Sequence, residues 1–199
     1  MNKKFADLGY CVVKNAITPE LRDFITQYTF FDEMQNESKD DIQVPNAFSK
    51  YADPAMETVL TTLLPTMEKE TGLELDPTYS YYRIYYPGDR LEKHKDRPSC
   101  EISCTLCFNY NYENYEWPIY MEGEGIVLEP GDMVIYKGMD LEHWRNTFDI
   151  KDDDAWHVQG FFHYVNKKGS CAEWKWDKRD SIGSLNKQTT TPSYIEYTK

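Results

Sequence analysis

The sequence predicts a mainly β domain with flanking helices, a barrel or sandwich carried on an N-terminal helical support. Three observations predict it. From Tyr79 to about residue 166 the chain falls into roughly eight short aromatic and β-branched runs separated by turn residues. Ahead of that block, two stretches repeat apolar residues at three and four positions behind helix-start signals. Finally, 199 residues with 40% hydrophobic content suffice for one sizeable core and are too few for two. A single domain over 1–178 is expected, with helical support at 1–78, a β core at 79–166 and a polar tail at 179–199.

The elements follow in order. GYCVVKNA at residues 9–16 reads as a short opening strand. Thr18-Pro19-Glu20 supplies an N-cap, a proline at the first helical position and an early acid, so a helix runs to about Met34 with Leu21, Phe24, Ile25 and Tyr28 on one face. ESKDDIQVPNAFSKY reads as a loop. Asp53-Pro54 opens a second helix, with Met56, Val59, Leu60, Leu63, Leu64 and Met67 as its core stripe, an expected kink at Pro65 and an end near Gly72. Strands are then expected at YSYYRIYY, LEKHKD, CEISCTLCFNYNY, WPIYME, IVLE, MVIYKG, LEHWRNTF and AWHVQGFFHYV. Residues 180–199 read as a loosely ordered tail in which SYIEY could dock. No internal repeat is present.

Acidic residues outnumber basic ones 34 to 22, for a net charge of −12. That balance repels phosphate backbones and anionic lipid surfaces, so nucleic acid and membrane are poor partners, although solubility alone also accounts for it. No apolar run reaches the ~20 residues of a bilayer span. Five cysteines, an odd number, and the lack of a secretion signal lead to an expected cytoplasmic, reducing compartment. The 16 tyrosines and 5 tryptophans suit strand faces and pocket walls.

Cys100, Cys104 and Cys107 form a C-x3-C-x2-C spacing, which elsewhere holds an iron–sulfur cluster. They lie among Ile102, Thr105, Leu106 and Phe108, which is strand material. On a strand Cys100 and Cys104 share a face and Cys107 points the other way, so the thiolates do not converge. The bland reading, small buried hydrophobes, is preferred.

His94-Lys95-Asp96 offers a different route to iron. Residues at i and i+2 of an extended segment project from one face, so an imidazole and a carboxylate can grip one ion. Alone, such a pair is weak evidence and is more readily a surface salt bridge. His143 follows after 143 − 94 = 49 residues in a later strand, and two histidines with one carboxylate make the facial triad that leaves open positions on non-heme Fe(II).

Taken together, YRIYYPGDRLEKHKDRP, ISCTLCFNYN, VLEPGDMVIYKGMDLEHWRNTF and HVQGFFHYV resemble the core of the Fe(II)- and 2-oxoglutarate-dependent dioxygenases, nearest to the prolyl hydroxylase-like group. The resemblance covers about residues 79–166. It implies a double-stranded β-helix, a jelly-roll or cupin-like barrel, with iron at one mouth held by His94, Asp96 and His143. It further implies 2-oxoglutarate as cosubstrate, O2 as oxidant, stimulation by ascorbate, and release of succinate and CO2 as an unactivated C–H bond is hydroxylated. Relatives that halogenate lack the carboxylate, so Asp96 favours hydroxylation.

The far carboxylate of 2-oxoglutarate needs a cation or several donors inside the barrel. Prolyl hydroxylases use a Lys or Arg about ten residues past the distal histidine, where this chain has Asp153, inside an apparent insertion, DIKDDD. Arg145, at i+2 from His143, faces the same interior on a continued strand and is the first choice. His157 and Gln159, and Tyr85, Tyr86 or Tyr110 by analogy with the family's pocket tyrosines, are further candidates. Each has a duller alternative: Arg145 pairs with Glu142 or Asp149 on the surface, His157 and His163 are satisfied strand histidines, Trp144 and Trp156 simply pack. Arg83 is the competing internal cation.

The favoured function is hydroxylation of a peptidyl or free amino acid or similar small substrate, with segments 35–52 and 111–118 as lids. The alternative is a non-catalytic cupin-like ligand- or metal-binding barrel, although cupins want H-x-H and a nearby glutamate. A nucleic-acid demethylase shares the triad but conflicts with the net charge. Substrate identity and oligomeric state are not encoded in any of these signals.

Overall fold

The computed structural model describes residues 1–36, 41 and 43–184. The chain opens with a short helix absent from the sequence expectation, α1 (Lys3–Leu8), started by the Asn2 side chain, which accepts from the Lys4 amide at 3.0 Å. β1 (Tyr10–Val13) follows. α2 (Pro19–Gln35) begins where the cap predicts, with the Thr18 hydroxyl accepting from the Leu21 amide. Residues 48–51, expected as loop, form a strand, β2 (Phe48–Tyr51). Its four residues carry little local signal, and it exists because Phe48 to Tyr51 pair with a longer strand, β3 (Leu75–Tyr85). Between them α3 (Pro54–Thr71) runs from its Asp53 cap to a left-handed Gly72, with Pro65 on its exposed side within a single helix.

The remaining strands are β4 (Leu91–His94), β5 (Ile102–Tyr110), β6 (Ile119–Met121), β7 (Glu124–Ile126), β8 (Met133–Tyr136), β9 (His143–Arg145) and β10 (His157–Asn166). They assemble into a six-stranded sheet, β1-β8-β5-β10-β3-β2, and a four-stranded sheet, β4-β9-β6-β7, antiparallel throughout. β9 is much shorter than the LEHWRNTF run, and β7 begins two residues earlier than IVLE.

Strand alternation divides the six-stranded sheet into two faces. Tyr82, Ile84, Cys104, Leu106, Val158 and Phe162 pack outward against Met56, Leu60 and Leu63 of α3 and Ile25 of α2. Each such fully buried side chain contributes about 1.5–3 kcal/mol. The other face turns toward the four-stranded sheet, where register sets Tyr79 opposite His163, Tyr81 opposite Phe161, Arg83 opposite Gln159 and Tyr85 opposite His157. The helices thus support the sheet from behind and leave its inner face for polar side chains.

The five cysteines are buried and unpaired. Cys104 belongs to the helix-facing core and Cys107 to the opposite one. Cys100 departs from expectation: it lies in a 3-10 turn, Pro98–Cys100, ahead of the strand, and does not share the Cys104 face. The three sulfurs stay apart.

Past β10 a short segment, Ala172–Lys178, leads to Arg179, which is buried and ion-paired to Glu57 of α3 while donating to the Thr78 carbonyl at 2.9 Å. Residues 179–184 therefore pack on the fold, whereas SYIEY lies outside the described residues. No described helix is long and apolar enough to cross a membrane.

Candidate active site

β4 and β9 pair so that His94 stands opposite His143. Each ring is oriented by its own backbone: Nδ1 of His94 lies 2.7 Å from the Glu92 carbonyl and Nδ1 of His143 lies 3.0 Å from the Leu141 carbonyl. A carbonyl only accepts, so each Nδ1 carries a proton, and each Nε2 points inward. They meet Oδ1 of Asp96, at 3.7 Å from His94 and 3.5 Å from His143. The three ligand atoms lie within 4.8 Å of one another.

Asp96 sits just past β4 and is fixed by the β8–β9 turn, since its amide donates to the Gly138 carbonyl at 2.9 Å. Only glycine suits position 138, because a Cβ there would collide with the Asp96 carboxylate and the Cys100 carbonyl. Burial pushes the Asp96 carboxyl up, but His143 and His94 together hold it well below the usual carboxylate range. Burial, with help from His143, lowers His94 to about 4 and keeps it neutral, the form in which imidazole binds metal. His143 is drawn up by Asp96 against its own burial.

Two imidazole nitrogens and one carboxylate oxygen on one side of a cavity are the donor set of a non-heme Fe(II) centre. A second group, Asp96, Cys100 and His163, also lies within 4.8 Å. It is the poorer ligand set, because burial keeps the Cys100 thiol protonated and the His163 Nδ1 is engaged by Ser103 at 2.8 Å.

The cavity beside the three residues spans about 580 Å3 including its open mouth, and its further walls include Tyr79, Tyr81, Arg83, Arg97, Phe161 and His163. Tyr79, Arg97 and His163 were not singled out for the site by sequence. The tyrosine is readable from β3 alternation with Tyr81 and Arg83, whereas the other two carry no local signal.

Arg145 faces the interior, as the i+2 spacing from His143 requires, and the surface pairing with Glu142 or Asp149 does not occur, but Arg145, His157 and Gln159 lie outside the walls of the cavity beside the three residues. Its guanidinium is buried, lies over the Trp117 ring at 4.4 Å, donates to the Trp117 carbonyl, and donates to Oε1 of Gln159 at 2.8 Å. Among the described residues no carboxylate pairs with it, and burial lowers its pKa. Its Nε, together with Nε2 of His157 and Nε2 of Gln159, is buried without a hydrogen-bond partner. Arg83 differs: it reaches the cavity but is already ion-paired to Asp41 at 2.6 Å and bonded to Tyr85 and Gln43.

Two candidate tyrosines are corrected. Tyr86 directly follows the end of β3 at Tyr85 and gives its hydroxyl to Glu33 of α2 at 2.6 Å, away from the cavity. Tyr110 stacks on Tyr112 and His157 but sends its hydroxyl outward to Glu129 at 2.7 Å. His157 is instead met by Tyr112, whose hydroxyl lies 2.9 Å from Nδ1. Trp144 stacks on Tyr120 and Trp156 meets Phe30 edge-on, both as packing residues.

No family model matches the sequence, and no curated protein matches it. Solved structures do. A prolyl-4-hydroxylase from Pseudomonas putida is 15% identical, with 83% of this chain and 96% of that chain covered, at a TM-score of 0.64. The non-heme alpha ketoglutarate dependent epimerase SnoN from nogalamycin biosynthesis is 9% identical, covering 82% and 80%, at 0.67. HygX from Streptomyces hygroscopicus, with nickel and 2-oxoglutarate bound, is 10% identical, covering 80% and 84%, at 0.59. The fold of this chain, two antiparallel sheets facing each other with helices behind the larger one, is therefore the double-stranded β-helix of the Fe(II)- and 2-oxoglutarate-dependent oxygenases, with prolyl hydroxylases among its structural neighbours.

Proposed function

We propose that this protein is an Fe(II)- and 2-oxoglutarate-dependent oxygenase that hydroxylates an unactivated C–H bond of a peptidyl or free amino acid or a similar small substrate, releasing succinate and CO2. The observation that carries the reading is the meeting of His94, Asp96 and His143 within 4.8 Å at the cavity, both Nε2 atoms turned inward. The neighbours named above, which include an alpha ketoglutarate dependent epimerase and a protein with nickel and 2-oxoglutarate bound, support it.

In this reading His94, Asp96 and His143 hold the ion, and iron with 2-oxoglutarate supplies the oxygen activation that the side chains cannot. Arg145, with His157 and Gln159 beside it, takes the distal carboxylate, because it is a buried cation that lacks a counter-charge while Arg83 has one. Leu91, Tyr136 and Phe161 wall the cavity and limit water near the reacting centre. The excess of acid, 34 residues to 22, supports a small-molecule or peptide substrate over nucleic acid, and a cytoplasmic setting fits five free thiols.

The test is an anaerobic titration with Fe(II) and 2-oxoglutarate. A visible charge-transfer band that needs both additions, disappears in His143→Ala and is followed by succinate on admitting O2 is the expected result. Iron binding with no 2-oxoglutarate-dependent band and no succinate would instead favour a ligand-holding barrel.

A further inference from the structure

Asp96 has two carboxylate oxygens, and the barrel treats them differently. Oδ1 faces the two histidines. Oδ2 accepts from the Ser103 hydroxyl at 3.2 Å, and the same hydroxyl oxygen lies 2.8 Å from Nδ1 of His163. The three come from separate parts of the chain: Asp96 follows β4, and β5 sets Ser103 in register opposite His163 of β10. All are buried or nearly so, and His163 is braced by the Tyr79 ring at 4.5 Å between centroids.

The distinction matters for coordination. An octahedral ion held by three side-chain atoms keeps three positions, enough for a chelating keto acid and dioxygen. A carboxylate that gripped the ion through both oxygens would remove one of them. We propose that Ser103 and His163 are positioning residues that tie Oδ2 of Asp96 to the larger sheet, so that Asp96 meets the metal through Oδ1 alone. The inference rests on the metal-site reading above.

The tautomer of His163 sets the direction of the chain. Ser103 has one hydroxyl proton and three acceptors within reach: Asp96 Oδ2, the Cys100 carbonyl at 3.1 Å and His163 Nδ1. When Nδ1 of His163 carries a proton it donates to Oγ, and the hydroxyl proton is released to Asp96. The other tautomer would draw that proton toward the ring. His163 therefore acts through Ser103, and the two form one unit.

Metal affinity and the visible spectrum of the Co(II)-substituted protein report on this without turnover. Ser103→Ala and His163→Phe, the latter keeping a ring against Tyr79, are expected to weaken Co(II) and Fe(II) binding by roughly ten- to a hundredfold and to alter the Co(II) band pattern. The double variant is expected to lose no more than the stronger single loss, since the residues act in series. His163→Asn keeps an amide donor near the Nδ1 position and serves as the conservative variant; it is expected to retain most of the affinity. Parent-like affinity and spectrum in both single variants, additive losses in the double, or equal losses in His163→Asn and His163→Phe would overturn the proposal. If the parent itself takes no metal, the oxygenase reading falls and the positioning role with it; if the parent binds and the variants match it, only the positioning role falls.

Discussion

A guanidinium sealed inside a protein with no carboxylate beside it is an expensive arrangement unless something else supplies the charge. Arg145 is in that position, whereas Arg83 has Asp41. Arg145→Ala is expected to raise the KM for 2-oxoglutarate by roughly thirtyfold or more while leaving Fe(II) affinity nearly unchanged. Steady-state kinetics with a separate metal titration checks this, and an unchanged KM alongside lost binding in Arg83→Ala would assign the anchor to Arg83 instead. The inward direction of Arg145 was legible, because i and i+2 on a strand share a face and His143 fixes which face it is. Ser103 and His163 were not legible as a pair. Sixty residues separate them, and only the register of β5 against β10 brings hydroxyl and ring together.

Among the elements, those with their own start signals were readable and those that borrow their stability were not. Thr18-Pro19 and Asp53-Pro54 announced α2 and α3, whereas β2 takes its existence from β3. Asp53 does more than the cap rule requires. Its Oδ1 receives the Ala55 and Met56 amides, and its Oδ2 receives the Tyr28 hydroxyl at 2.6 Å, joining α3 to α2. Losing the cap and leaving the half-buried Tyr28 hydroxyl without this partner, Asp53→Ala should destabilise the fold by about 2–3 kcal/mol. A thermal melt is expected to fall by roughly 4–12 °C. A shift below one degree would mean that the helix start is held by packing alone.

For the molecule as a whole, the inner face of the larger sheet stores neutral imidazoles. Burial first, and Arg97 after it, against the pull of Asp96, leaves His163 at about 4, and burial with Arg145 sends His157 well below its ordinary value. Both folded pKa values lie under the unfolded one of about 6.5, so the unfolded chain binds more protons in that interval. Their contribution is complete above about pH 6.5 and is lost as the pH falls toward 4. For His163 this amounts to about 3 kcal/mol, and metal-free protein should show a Tm that declines over that range. A flat Tm between pH 6.5 and 4 would show that these rings are protonated in the folded state. The architecture behind this behaviour was legible as a β block on helical supports; the division of β3, β5 and β10 into a greasy and a polar face needed the pairing register.

The Arg179–Glu57 contact changes where the protein can be cut. Sequence texture invites a boundary at residue 178, just where the chain turns polar. A chain stopped there would strand the Glu57 carboxylate beneath α3 with no cation to answer it, and would leave the Thr78 carbonyl without its guanidinium donor. The minimal folding unit is thus set by electrostatic closure, and a shortened version for crystallisation or assay should retain Arg179 and the turn through Ser184 that accepts from it.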